Sequence, residues 1–585
     1  MKTNKLRLGM QLVSTLPPIL FILIYAHNNS IYMLLAAVLA GLLGINLYRY
    51  RHNVALIRYS LLSILLVSFL LYAFHGLGSK EAPQTFETLK RGNIATFDFG
   101  KPVHIDKMCY YIGIDKNVKF VLSGIDRKRW QKIYEYKENF PFSFRWRCVK
   151  ENATVSKARL FVTKNEMMLG EVRFMDKGRT IPFTSNKTSL NDEQNLAIDT
   201  SYFGGMFFDE IYHSRTAYEI LHGMQVYETT HPYLGKYLII PGIEFFGMTP
   251  FGWRFTNVLF AAAFIWMMYY FALQLFRKRL YAFSAAFLLT YSFMHLTQSR
   301  IGLIDTFGVF FVFVSYYFLY RFIRQQKLSL LLWSGFFFGL ASAVKWAAVF
   351  AALGFIFIAV YLLISRYPLE KRFSGYRLLL YGILSYGIIA GAVYFVSFFD
   401  IYLQTGSWHK IIDYQFSMYD YHTRLVATHP YSSPWWSWPI DFRPMCYTRE
   451  IHGTLFRSVT AFGNPAIFWV GTVSLFYMIY AAVRRNTLEA SFILLAFLGL
   501  YLPYIFVGRL MFIYHFYYAV PFMMLAIVYM LRDAARSFPK YRQYYLVYLA
   551  LTALLFLAFY PVLSGYEVPK VYVDYSLKWF PGWWL

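Results

Sequence analysis

Phe208-Asp209-Glu210-Ile211-Tyr212-His213 is followed by His231-Pro232-Tyr233-Leu234-Gly235-Lys236 and then by Trp253-Arg254, from which an apolar run continues to Phe276. An acid pair, a His/Lys segment and an arginine at the mouth of a membrane-length helix decide how the chain is read. Ionisable groups at membrane depth are costly unless paired or hydrated, so an apolar segment carries them for a reason.

Around this stretch the sequence is lipid-soluble. Of its 585 residues 58% are hydrophobic and 15% charged, against about 45–50% and about 25% in soluble domains. The chain reads as a polytopic α-helical membrane protein. An aromatic share of 21% fits belts of Trp and Tyr at the two interfaces. Met1 to Arg7 is a basic start that leads straight into apolar sequence without a small-residue cleavage site, so no removable leader is expected. The net charge of +26 does not mark a nucleic-acid partner, because Lys and Arg fall in short clusters between apolar runs.

Apolar windows of ~20 residues predict about thirteen spans. Three precede the first long polar stretch, near 10–26, 31–47 and 55–74. Ten follow it, near 253–276, 281–296, 303–322, 328–344, 348–364, 378–399, 455–483, 488–507, 511–531 and 545–562. With Met1 cytoplasmic, the inner connections are basic, as at Arg277-Lys278-Arg279, Arg321/Arg324/Lys327 and Arg484-Arg485. This topology predicts a multi-pass protein of the plasma membrane, with its long polar segments outside.

Four regions follow: N-terminal helices over 1–75, a β-sandwich over 76–197, an outer loop with the acid pair over 198–252, and a membrane region over 253–585 that includes an outer loop at 400–454. The sandwich is read from strand-like alternation in Ile94–Phe99, Val118–Leu122, Arg159–Thr163 and Gly170–Phe174. Through "ATFDFGKPVHIDKMCYYIG" and "LGEVRFMDKG" it resembles discoidin-like domains, which implies carbohydrate binding; a structural cap is the alternative. Cys109 and Cys148 both lie in it, and either a disulfide or two buried thiols would suit them. Cys446 lies in the other outer loop, and no Cys/His spacing marks a metal site.

This topology gathers Asp209, Glu210, Arg254, Arg300, Asp305, Lys345, His429, the tryptophans at 435, 436 and 438, Arg509, Tyr514 and His515 on the outer face. Each has a plain reading alone: an acid at a helix N-terminus, a cation snorkelling to the interface, an aromatic belt. Snorkelling predicts cations on both faces, whereas these accompany carboxylates and histidines on one. The set suits glycosyl transfer from a polyprenyl-phosphate sugar. Cations and donors would meet the charge developing on the departing lipid phosphate, and a carboxylate would serve the acceptor hydroxyl as base.

At these residues the chain resembles the protein O-mannosyltransferases, glycosyltransferase family 39 of the GT-C superfamily. The likeness rests on "FFDEIYHSRTAYEILHG", "HPYLGKYLIIPGIEFFGMTPFGWR", "SRIGLID", "AVKWAA", "HPYSSPWWSWPI" and "RLMFIYHFYYAVPF", in that order. It implies a GT-C fold and transfer of a mannose-like sugar, with inversion, from polyprenyl phosphate to Ser or Thr of an exported protein. Asp209 is then the base and Glu210 its partner, organised by Arg254. Arg300, Lys345, Arg509, His515 and Lys236 are expected at the donor phosphate. His213, His231, Tyr233, Asp305, His429, Trp435 and Tyr514 are expected around the sugar and acceptor. No cofactor is implied.

The sequence departs from the family at Tyr233, where a second proline is usual, and over His515-Phe516-Tyr517-Tyr518-Ala519. The outer loop 400–454 is too short for the β-trefoil domain of eukaryotic members, so a bacterial form is expected. Three other readings remain: a GT-C enzyme acting on a cell-wall polymer or lipid; a transporter of lipid-linked sugars, which would place polar groups at the bilayer midplane in repeated halves; and a non-catalytic carbohydrate-binding membrane scaffold.

Overall fold

The computed structural model describes residues 2–52, 54, 56–57, 60–126, 129–138, 142–541 and 544–585. The chain forms two compact units, one of Met1–His75, Glu228–Leu238 and Asn257–Leu585, the other of Gly76–Tyr227 and Ile239–Thr256.

The first unit is helical. Among the described residues nine helices are long and apolar enough to cross a membrane, or ten if Arg279–Thr290 and Phe293–Ser299, bent by 58°, form one span. The apolar helices Leu61–Phe74 and Leu328–Val344 are shorter. The expected segment at 511–531 is met by the helix Val520–Ser537, which carries Arg532, Asp533 and Arg536 toward its end. It begins later than the sequence suggests: Ile513–Tyr518 is a 3₁₀ turn, and Pro521, which suits a first helical turn, opens the α-helix. The protein is thus a polytopic membrane protein.

Helices in lipid gain little from hydrophobic burial against one another, so they rely on close approach and polar contacts. Both are present. A Cβ on Gly499 would lie 2.2 Å from the Gly354 Cα, so the helices Ala351–Ile364 and Leu488–Tyr501 meet backbone to backbone there. Asp305–Gln325 and Leu328–Val344 exchange hydroxyl bonds, Ser315 Oγ donating to Ser334 O and Ser334 Oγ to Ser315 O, each at 2.8 Å. Asn464 caps Pro465–Arg485 through Ala466 N and donates its amide to Tyr291 O and Thr552 O, both at 3.0 Å.

The second unit is built on an eight-stranded antiparallel sheet: β1 (Glu87–Lys90), β2 (Ile94–Asp115), β3 (Lys119–Asp126), β4 (Arg129–Tyr136), β5 (Ser143–Lys164), β6 (Glu166–Asp176), β7 (Arg179–Ile181) and β8 (Thr184–Ser185). The order is β1-β6-β2-β5-β3-β4, with β7 beside β6 and β8 beside β2. The 22-residue strands β2 and β5 are the spine, and breaks in their register at 98–103 and 105–107 mark the bulges where long strands bend. Phe97, Ile112, Phe120, Val162, Leu169 and Phe174 are among the buried residues of its core. Cys109 faces Cys148 in the β2–β5 register, and the two form a disulfide.

The acid-pair loop belongs to this unit and is not a separate region. Arg215, on the helix Glu210–Leu221, donates to Asp115 O at 3.2 Å, and Asp115 in turn accepts from Tyr136 OH and Val118 N, both at 2.7 Å. The residues expected as one outer loop over 198–252 are split between the two units: 198–227 and 239–252 belong to the second and 228–238 to the first.

Candidate active site

The acid pair stands where a loop becomes a helix. Phe208 has φ 49°, the left-handed region that bulky residues avoid, and the chain turns there into Asp209 and the helix Glu210–Leu221. Asp209 occupies the N-cap position, but its carboxylate does not cap the helix. Its carbonyl begins the helix instead, accepting from Tyr212 N and His213 N at 3.0 Å. The half-buried carboxylate is thus not used to close the first turn.

Glu210 and Arg254 are wholly buried and paired in two places, Arg254 Nε to Oε1 at 2.7 Å and Nη2 to Oε2 at 2.9 Å. Arg254 also donates to Leu77 O at 2.8 Å, Tyr202 O at 2.9 Å and Gly205 O at 3.1 Å. Phe207 and Tyr202 flank the guanidinium, their ring centres 5.1 and 5.5 Å from its carbon. Its planar fork therefore ties two backbone segments, at Leu77 and over 202–205, to the carboxylate beside Asp209. These bonds of Arg254 all go to Glu210 and to backbone carbonyls. His213, one turn on, is buried.

The membrane unit holds a cavity of about 870 Å³. Three irregular segments build it. Lys345 is extended, φ −156°, between the helix Leu328–Val344 and the 3₁₀ turn Trp346–Phe350. The amphipathic helix Trp408–Arg424 carries His422 in its last turn and runs into Leu425-Val426. The stretch from Tyr504 to His515 closes the wall. Irregular backbone at membrane depth is tolerated where it lines a cavity.

His231, Lys345, His422, Arg509 and His515 bring basic or imidazole groups to it, and Trp346, Val349, Phe350, Val426, Phe506 and Met511 give apolar walls. Lys345 pairs with Asp305 at 2.9 and 3.0 Å, and both are nearly enclosed. Its ammonium lies 5.5 Å from the Tyr514 ring centre. A Cβ on Gly235 would lie 2.6 Å from Ile304 Cγ2, so only glycine lets the His231–Lys236 segment reach the start of the helix Asp305–Gln325.

Lys236 is not among the residues that line this cavity. It is buried, ion-paired to Glu228, and donates to the Glu228 and His231 carbonyls at 3.0 Å. Glu228 also holds His231 Nδ1 at 3.1 Å. Arg300 likewise has another set of partners: Tyr72 O, Ala73 O, His75 O and Ser564 O, at 2.7 to 3.1 Å, joining the N-terminal helices to the chain near Ser564. Tyr233 is buried with its ring centre 5.1 Å from the Lys236 ammonium. His429 packs on Phe512, and Trp435 on Tyr501, at centroid distances of 5.1 and 5.4 Å.

His422 and Glu228 were not singled out in the sequence. His422 lies in "DYHTR", and the helical spacing of Trp408, Ile412, Phe416 and Tyr419, all exposed, was the signal that the segment is an amphipathic helix whose other face must meet something. Arg509 Nη1 donates to His422 Nδ1 at 2.8 Å, and His422 Nε2 bonds to Thr230 O at 2.8 Å. A neutral ring with its proton on Nε2 satisfies both. Burial, reinforced by Arg509, lowers the His422 pKa from 6.5 to about 4. A histidine held neutral in the folded state contributes stability above its unfolded pKa that is lost as pH falls through the folded value. Wild-type protein is therefore expected to lose melting temperature between pH 6.5 and about 4 more steeply than His422→Gln, measured by thermal unfolding in one detergent.

Comparison with known proteins covers Arg254, Lys345, His422 and Arg509, whereas Asp209 and Glu210 lie outside both family matches. The family described as dolichyl-phosphate-mannose-protein mannosyltransferase matches residues 230–388, and the C-terminal four-span region of protein O-mannosyltransferase matches residues 407–583. A polyprenol-phosphate-mannose–protein mannosyltransferase of Corynebacterium glutamicum is 26% identical over 60% of this chain and 81% of its own length. One of Mycolicibacterium smegmatis is 24% identical over 65% and 88%. The structure of the S. cerevisiae protein O-mannosyltransferase Pmt1–Pmt2 complex bound to the sugar donor shares the fold, with a TM-score of 0.57 at 14% identity over 64% of this chain and 89% of that one. The sheet over 87–185 lies outside both family matches.

Proposed function

The chain belongs to the protein O-mannosyltransferase family, and on that premise we propose that it is a membrane glycosyltransferase moving mannose from a polyprenyl-phosphate donor to Ser or Thr hydroxyls of exported proteins. The observation that carries this reading is the cavity: Lys345 and Arg509 beside three histidines, in walls that are otherwise apolar. A lipid phosphate has the same two-part chemistry. Arg509 and Lys345 would take the phosphate oxygens as negative charge develops on the departing lipid. His422, neutral, would hold the Arg509 fork in place. We assign Asp209 the part of base toward the acceptor hydroxyl, and Glu210 and Arg254 the part of holding it.

The Cys109–Cys148 disulfide supports an oxidising compartment for the sheet domain, hence the outer side of the plasma membrane. We assign that domain to presenting the acceptor or recognising its glycan.

Purified protein supplied with polyprenyl-phosphate mannose and either a Ser/Thr peptide or a glycan acceptor tests the reading; transfer to the glycan alone would replace the protein acceptor by a wall polymer. Arg509→Ala is expected to raise the donor KM by about 10- to 100-fold, the loss of one charge-assisted contact, with Arg509→Lys recovering part of it. An unchanged KM in both variants would take Arg509 off the phosphate.

A further inference from the structure

A second cavity, about 920 Å³, opens at the other end of the membrane unit's helices, with Arg7, Ser60 and Arg279, the tyrosines 269 and 270, and apolar side chains in its lining. Four helices meet there: Lys2–Tyr25, Leu61–Phe74, Pro250–Phe276 and Arg279–Thr290. Its composition is graded. Arg7, Ser60 and Arg279 lie near helix starts. Met10 lies three residues past Arg7 and Phe283 four past Arg279, about 4.5 and 6 Å deeper at 1.5 Å per residue. Two tyrosines stand on the remaining wall.

The charges in this groove are not balanced from within. Among the described residues no carboxylate lines it, and neither Arg7 nor Arg279 is ion-paired to another described residue. Arg7 is steadied by donating Nη2 to Ile57 O at 2.9 Å, while Arg279 is exposed. Two guanidinium-bearing residues line one apolar cleft, and an anion between them would answer both charges. The apolar lining below asks for hydrocarbon in the same ligand. Water or a free anion would satisfy only one half.

We propose that this groove is a binding site for one anionic glycerophospholipid, its phosphodiester held by Arg7 and Arg279 and its acyl chains laid against Met10, Leu62, Leu273, Leu280 and Phe283. A phosphodiester offers oxygens to two arginines. A headgroup lacking its own ammonium leaves that charge uncompensated, so phosphatidylglycerol fits and phosphatidylcholine does not. Basic clefts between membrane helices are a recurrent setting for such headgroups. The site is independent of sugar transfer: none of its residues lies in the cavity holding Lys345 and Arg509.

Full-length protein, stripped of lipid in detergent, would be titrated with phosphatidylglycerol, phosphatidylcholine or inorganic phosphate, and occupancy read by native mass spectrometry. One phosphatidylglycerol is expected to bind and to raise the melting temperature, with phosphatidylcholine and phosphate inert. Arg279→Gln is expected to weaken it about fivefold, and Arg7→Gln/Arg279→Gln about 25-fold, at roughly 1 kcal/mol per arginine. Because Arg279 is exposed, its single variant should fold, and unchanged sugar-transfer turnover would confirm that it has. Equal binding of both lipids, or an unaltered affinity in the double variant, overturns the site. Binding of phosphate as tight as that of phosphatidylglycerol overturns the lipid and leaves an anion site only.

Discussion

Asp209→Asn is expected to lower sugar-transfer turnover by about 10²- to 10⁴-fold, the range for removing a positioned general base. The substitution is nearly isosteric. The helix Glu210–Leu221 is started by the Asp209 carbonyl and not by its side chain, so the amide should leave the turn as it stands. The Glu210–Arg254 pair does not involve the altered atoms. Donor affinity and melting temperature should stay close to wild type while turnover collapses. Single-turnover assays with polyprenyl-phosphate mannose and a Ser/Thr peptide would read this directly. Turnover near the wild-type rate would remove Asp209 from the base role.

Arg254→Ala should lose both stability and activity. Breaking a buried ion pair from one side costs about 3–5 kcal/mol, because the remaining charge is left without its partner. Here Glu210 would be stranded, and the carbonyls of Leu77, Tyr202 and Gly205 would lose a shared donor. A companion variant separates position from folding. Glu210→Leu/Arg254→Met removes both charges and should recover much of the melting temperature, yet turnover should stay low because nothing then holds the Asp209 turn. If the double variant regained wild-type turnover, the pair would be a structural strut with no part in aiming the acid.

Legibility followed the range of the interaction. The membrane-length runs and basic connections announced a polytopic protein because each span is a local property of about 20 residues. The order Asp209-Glu210, Arg254, Lys345, Arg509 was visible as motif. What those side chains touch was not. Arg300 and Lys345 look alike in sequence, each a lone cation beside an apolar run, yet one is enclosed by carbonyls from Tyr72 to His75 and at Ser564 while the other reaches a cavity. Those partners lie more than 200 residues away in the chain. Lys236 is a similar case, with Glu228 as the unexpected neighbour. The cysteines remained open because pairing depends on strand register, and only the β2–β5 alignment brings 109 opposite 148. The span expected at 511–531 starts ahead of the α-helix because hydrophobicity alone cannot tell a 3₁₀ turn of aromatics from an α-helix.

Phe208 keeps a backbone shape that suits glycine far better. A glycine would adopt it without steric penalty but would also swing freely through its neighbours, and the carboxylate that follows would point in many directions. The aromatic side chain denies the loop those alternatives. At this corner the protein tolerates a standing steric cost, and what it keeps in exchange is a single bearing for the acid.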